Sequence, residues 1–173
     1  GCSSLFPCGF PFFPYSLIGY TNRFTIYDTD DSKRVMKEAQ RLLDINDKML
    51  SHKTIIKEVS RAKDQLITPD EYIARAGGDV RLKAIGEAYK CYQKLLKNAD
   101  AMDFDDMIFR TVELLQKNEE VRNYYQNKFK YILVDEYQDT NHAQYVLTSL
   151  LAEKYRNICV VGDDDQSIYK FRG

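Results

Sequence analysis

Between Phe24 and Lys128 the apolar residues recur at helical spacing, and beyond Lys128 they gather into short continuous runs. Asp28 or Asp30 can cap a first helix that carries Val35, Met36, Ala39, Leu42 and Leu43 on one side. A second helix begins near Ser51 and carries Ile55, Ile56, Val59, Ala62 and Leu66. Thr68-Pro69-Asp70-Glu71 is a start signal: the threonine can cap, the proline suits the first turn, and Glu71 stands at the capping-box position. That short helix stops at Gly77-Gly78. The next runs from about Val80 to Asn98, with Leu82, Ile85, Tyr89, Tyr92 and Leu96 on one face. Two more cover about 104–117 and 120–128, and Asp103, Asp105 and Asp106 fit a helix N-terminus, where the dipole favours acids.

The runs that follow are Lys130–Val134 (KYILV) and Asn157–Val161 (NICVV), separated by a helix over Asn141–Tyr155. Short apolar runs of this kind predict buried parallel strands, and strand, helix, strand makes one βαβ unit. The expected fold is mainly α-helical with a small two-stranded parallel β piece at the C-terminal end. Residues 1–18 (GCSSLFPCGFPFFPYSLI) stand apart as an atypical segment, since three prolines among aromatics fit neither period.

Composition adds limits rather than a function. No run reaches the ~18 apolar residues that cross a bilayer, so no membrane partner is expected. Residues 1–18 lack a basic start and do not read as a signal peptide. The four cysteines are scattered, with no CxxC pair and no nearby histidine, which argues against zinc and suits a reducing, cytoplasmic setting. Net charge is −1, but residues 51–97 hold ten Lys/Arg against six Asp/Glu, whereas residues 98–173 hold nine against fourteen. The basic stretch is either a set of solvated helix faces or a phosphate-contacting surface.

The chemistry is concentrated near the C-terminal end. Ile132-Leu133-Val134-Asp135-Glu136 is an apolar strand ending in adjacent acids, the Walker B arrangement, at the end of the strand where sheet ligands bind. Asp135 can hold Mg²⁺, directly or through water, and Glu136 can polarise an attacking water. The plain alternative is a strand that ends in a charged loop. The acids continue as DEYQDTN (135–141), and the second strand leads into VGDDDQSIYKFRG (161–173). These strings resemble motifs II and III of the superfamily 1 helicases of the UvrD/PcrA/Rep group. MDFDD (102–106) resembles that family's LDFDDL element, and FTIYD (24–28) matches another of its segments.

The resemblance, over about residues 19–173, implies an α/β parent motor, a RecA-like P-loop NTPase using ATP and Mg²⁺. It implies a 3′-to-5′ helicase or translocase that couples ATP hydrolysis to movement on single-stranded DNA and unwinds duplexes at single/double-strand junctions, in a bacterial-type, nucleoid-associated setting that includes DNA repair. Asp135 would be the Mg²⁺ carboxylate and nucleotide contact, Glu136 and Gln166 the catalytic pair, with Gln166 sensing the γ-phosphate. Tyr169 and Phe171 alternate across Lys170 and could stack on successive bases. The family commonly has Trp where Phe171 stands, so this stack keeps a π-face of smaller area. Arg172 could contact DNA phosphate or couple the base platform to the nucleotide. The alternative for Tyr169 and Phe171 is core packing. Asp163-Asp164-Asp165 lacks the EF-hand pattern and reads as part of the motif III loop.

By the same resemblance, residues 19–128 are a helical region, mostly like the inserted subdomain 1B, and residues 129–173 are part of the motor domain 1A. No GxxxxGK[ST] occurs in the 173 residues, so the chain alone is expected to be inactive. Residues 1–18 do not match the family and are expected to be an added sequence or a stretch read out of frame. A strand edge without its neighbour predicts self-association. Two other functions compete: a non-catalytic helical module that binds DNA or protein, and a carboxylate-metal nuclease built on Asp135, Glu136 and Asp139.

Overall fold

The computed structural model describes residues 14–21 and 23–163. Seven helices among them are α1 (Thr29–Leu42), α2 (His52–Asp64), α3 (Pro69–Ala76), α4 (Val80–Asn98), α5 (Phe104–Lys117), α6 (Glu119–Lys128) and α7 (His142–Ala152). The strands are β1 (Thr25–Ile26), β2 (Ala101–Met102), β3 (Ile132–Val134) and β4 (Ile158–Val160). They form two separate parallel pairs, β1 with β2 and β3 with β4.

The helices start where polar side chains can take up orphan backbone N–H groups. Asp28, rather than Asp30, caps α1, accepting from Asp30 N and Asp31 N in a capping box with Asp31. Ser51 caps α2, and Thr68 and Glu71 cap α3 reciprocally with Pro69 as the first helical residue. Gly77, at φ 56°, takes the chain out of α3 in a conformation that only glycine adopts without strain. Asp103 caps α5 and exchanges hydrogen bonds with Asp106.

β1 and β2 are a pairing that the periodicity did not predict. Thr25 lies opposite Ala101 and Ile26 opposite Met102, and the flanking bonds run from Thr25 N to the Asp100 carbonyl and from Tyr27 N to the Met102 carbonyl, at 2.9 and 2.8 Å. Two residues per strand are too few to show a period, and the partners are far apart in sequence. The pair ties the entry to α1 to the entry to α5.

Two apolar clusters form the core. The first joins Met36 and Ala39 of α1, Ile55 and Val59 of α2, and Tyr89, Tyr92 and Leu96 of α4. The second joins Val112 and Leu115 of α5, Val121 and Tyr125 of α6, and Leu147 of α7. Residues 104–128 therefore share a core with the helix of the βαβ unit. Leu66, expected on the α2 face, lies beyond that helix at φ 56° and packs on the second cluster instead. Leu42 and Leu43 are exposed at the end of α1, where the chain reverses through Asp44 at φ 53°. Leu82 is also exposed, so the apolar face of α4 begins at Ile85. Between α3 and α4, a β-carbon at Gly86 would sit 2.6 Å from Ile73 Cγ1, so the two helices close to backbone distance at that point.

A buried ionic group links the clusters. Lys63, 1% exposed, places Nζ 2.6 Å from Asp103 Oδ2 and 3.1 Å from Asp106 Oδ1. The Tyr92 hydroxyl donates to Asp103 Oδ2 at 2.8 Å, and Gln93 Nε2 donates to Asp106 Oδ2 at 3.3 Å. Arg110 donates to Gln93 Oε1 and to Glu113 Oε2. Burial opposes the Lys63 ammonium, but the Asp106 and Asp103 charges outweigh it and hold its pKa above the ordinary value. Burial also pushes the Asp103 carboxyl up, and Lys63 more than reverses this, leaving it below the usual carboxylate range. Asp106 goes the other way: burial, reinforced by the Asp103 charge, raises it despite Lys63.

Lys63→Met should leave two buried carboxylates without their cation and destabilise the fold by about 3–5 kcal/mol at neutral pH. The sign with pH follows from the carboxylates. In the variant both have folded pKa values above the unfolded ones, so their penalty is present at pH 7 and fades as pH falls toward 4. Urea unfolding at pH 7 and pH 5 checks this, and the gap between wild type and variant should be smaller at pH 5.

Candidate functional site

β3 and β4 run parallel, with Ile132, Leu133 and Val134 opposite Ile158, Cys159 and Val160. The two acids of the Walker B pattern follow β3 directly, at its carboxyl end, as the sequence predicts. The strands are shorter than the apolar runs and are not the buried strands expected from them. Leu133 is 68% exposed and Val160 51% exposed. Ile132 and Val134 are half-buried while Leu133 is exposed, the alternation of a sheet covered on one face. α7 supplies that cover by packing against β3.

Asp135 and Glu136 are both exposed. Glu136 adopts φ 53° and ψ 45°, a left-handed conformation that costs a non-glycine residue roughly 1–2 kcal/mol. The bend turns the chain out of the strand into a short 3-10 turn over Tyr137–Asp139. Its backbone N–H donates to Asp135 Oδ1 at 3.0 Å. The turn is held to the end of β4 by the backbone: Val161 N donates to the Val134 carbonyl at 2.8 Å, and Tyr137 N to the Val161 carbonyl at 3.0 Å.

Gln138, to which the sequence reading gave no role, completes the arrangement. Its Nε2 donates to Glu136 Oε2, and its Oε1 accepts from Asp163 N at 3.0 Å. Gly162 leaves room for it, since a β-carbon there would lie 2.8 Å from Gln138 Oε1 and 3.3 Å from Tyr137 Cβ. The turn after β3 and the loop after β4 thus meet through one amide side chain as well as through the backbone bond from Tyr137 to Val161. The only sequence signal for this was the position of Gln138 inside the DEYQDTN string.

The far end of that string is anchored as well. Asn141 caps α7, exchanging hydrogen bonds with Gln144, and its Nδ2 donates to Asp64 Oδ1 at 2.6 Å at the end of α2. Burial, with the Asp105 charge, raises the Asp64 carboxyl.

Gln166, Tyr169, Phe171 and Arg172, together with Asp164 and Asp165, lie outside the described residues. Two exposed carboxylates side by side suit a hard cation such as Mg²⁺, which takes one or two protein carboxylates and completes its shell with water and phosphate oxygens. Among the described residues no three His, Cys, Asp or Glu side chains converge as a metal cage. No described helix is long and apolar enough to cross a membrane.

A cavity of about 280 Å³ opens between α1, α2 and α5, lined in part by Lys33, Lys53, Ser60, Tyr92 and Phe104. Phe104 is 60% exposed, and the same lining includes the carboxylates of Asp103 and Asp105. The helical pattern marked Phe104 as the start of α5 and gave no hint of its exposure.

Asn141→Ala should remove the α7 cap and the tie to Asp64 together, lowering stability by roughly 1–2 kcal/mol. Hydrogen exchange should quicken first at the Gln144 amide.

Comparison with known proteins matches residues 14–173 to the UvrD/REP helicase N-terminal domain family. An ATP-dependent DNA helicase PcrA of Staphylococcus epidermidis is 45% identical over 156 residues, covering 90% of this chain and 21% of the relative. The ATP-dependent DNA helicase PcrA of Staphylococcus aureus gives the same identity and coverage. The chain thus spans about a fifth of the length of these relatives.

Proposed function

The chain belongs to the UvrD/REP helicase family, and from that premise we propose that it is the part of an ATP-driven DNA motor in which the hydrolytic carboxylates meet the DNA-sensing loop. The observation that carries this reading is the hydrogen-bonded junction between the Asp135-Glu136 turn and the strand end at Val161–Asp163. ATP would supply the phosphoanhydride and Mg²⁺ the charge that neutralises its oxygens. Asp135 would hold the cation. Glu136 would orient a water and take its proton as that water's oxygen bonds to the γ-phosphorus and the bond to the β-phosphate oxygen breaks. Gln166 would sense the γ-phosphate.

The DNA side of the proposal rests on Tyr169, Phe171 and Arg172, as base-stacking and phosphate-contacting groups. Each base stacked on such an aromatic ring would contribute about 1–3 kcal/mol. We assign the parent a 3′-to-5′ direction on single-stranded DNA, action at single/double-strand junctions, and a cytoplasmic, nucleoid-associated setting that includes DNA repair. Residues 129–173 would belong to the RecA-like domain 1A of a P-loop NTPase, and the helical region mostly to the inserted subdomain 1B. The first apolar cluster, drawn mainly from α1, α2 and α4 with Ala101 of β2, supports a helical core for that region.

With no GxxxxGK[ST] in its 173 residues, the chain by itself should not turn over ATP. In the full-length protein, Glu136→Gln should lower DNA-stimulated ATP hydrolysis by about 10²-fold or more while nucleotide binding persists, because the general base is lost and the shape kept. A near-normal kcat in that variant would remove Glu136 from the mechanism. The exposed apolar positions of β3 and β4 should make the isolated chain self-associate, since an uncovered strand edge templates pairing. Light scattering at micromolar concentration should show dimers or larger species; a clean monomer with Ile158–Val160 protected from hydrogen exchange would contradict this.

A further inference from the structure

We infer that Gln138 is a positioning residue that couples Glu136 to the loop after β4, so that the hydrolytic carboxylate is held in place only while that loop is docked. The inference rests on the proposed ATP hydrolysis and adds a residue to it. Three observations carry it.

The first is the orientation of the amide. A primary amide has one donating and one accepting end, and here each end is used on a different segment: Nε2 on Glu136 Oε2, Oε1 on Asp163 N. The polarity cannot be reversed. A carboxylate only accepts and a backbone N–H only donates, so flipping the amide would break both bonds.

The second is clearance. Gly162 stands immediately before Asp163, and any β-carbon there would press to 2.8 Å from Gln138 Oε1. The loop approaches the turn closely because residue 162 has no side chain. The third is the backbone of Glu136, which is left-handed, a conformation that a non-glycine residue keeps only where its surroundings hold it.

Asp163 opens the segment that contains Gln166, Tyr169 and Phe171 in sequence. Movement of Asp163 on DNA or nucleotide binding would pull on the amide and so on the Glu136 carboxylate. The bridge therefore offers a direct physical link between what occupies the loop and how well the base is aimed.

Two variants separate the ends of the amide. Gln138→Met keeps the length and makes neither bond. Gln138→Glu can still accept from Asp163 N but cannot donate to Glu136. In the isolated chain, exchange of the Asp163 amide proton should quicken roughly fivefold in Gln138→Met, the size of one modest hydrogen bond, and stay as wild type in Gln138→Glu. In the full-length protein, both variants should lose about tenfold or more of DNA-stimulated kcat, as misaimed reacting groups do, with the ATP KM changed by less than about twofold. Unchanged Asp163 exchange in Gln138→Met, or a DNA-stimulated kcat within about twofold of wild type in Gln138→Glu, would overturn the coupling. Glu136→Gln serves as the reference. If it abolishes turnover while the Gln138 variants remain active, the hydrolytic role stands and this inference alone fails; if it turns over ATP normally, both fall.

Discussion

The buried Lys63 ammonium sits between two carboxylates, and three helices meet around it. Its own helix, α2, contributes the cation; α5 contributes Asp103 and Asp106 from its first turn; α4 contributes Tyr92 and Gln93 as the hydrogen-bonding wall. A charge buried in this way is tolerable only when its partners are fixed to within a few tenths of an ångström, because the desolvation cost is incurred whether or not the geometry is good. The short β1–β2 pair supplies part of that fixation, since β2 leads directly into Asp103. Helix start, strand pairing and ion pair are consequently one cooperative unit, and the two apolar clusters meet across it.

The acidic turn after β3 is built on the opposite principle. Its acids are exposed, its strands are short, and the joint between its two loops is made of a few hydrogen bonds and one strained backbone position. The bonds that hold the turn to β4 involve neither cluster. Asn141 marks the border: its backbone belongs to the turn's exit, and its side chain reaches the end of α2. Displacement at the acidic turn has a short covalent and hydrogen-bonded route to Asp64, the neighbour of Lys63.

What the sequence could say about this fold was local. Asp28, Ser51, Thr68 with Glu71, and Asp103 were legible as helix starts because a cap acts within three or four residues. Val134 passing into Asp135 was legible because an apolar run meeting two acids is also local. Lys63 was not: among ten basic residues in its stretch, nothing in its neighbourhood distinguishes the one that is buried, since its partners lie forty residues away. The same distance hid the pairing of Thr25 with Ala101. The strands of the βαβ unit were recognised as strands, but their burial was overestimated, because apolar runs of this kind report the cover that a sheet is suited to and not the cover that these residues provide. Gln138 was visible as a letter within a motif, yet its two bonds point to segments that sequence alone does not bring together. The motif III residues from Gln166 onward were legible only through resemblance.

The contact at Gly86 gives the α3–α4 hairpin a mechanical character. Ile73 fits the space where a side chain would otherwise stand, like a pin in a notch, and the notch is one residue long. Smooth helix surfaces can slip past each other by a turn at little cost; a pinned pair cannot, since axial travel would lift Ile73 over the flanking side chains. Any side chain at residue 86 would have to displace Ile73 or push the two helices apart, so the close approach of α3 to α4 depends on that one glycine.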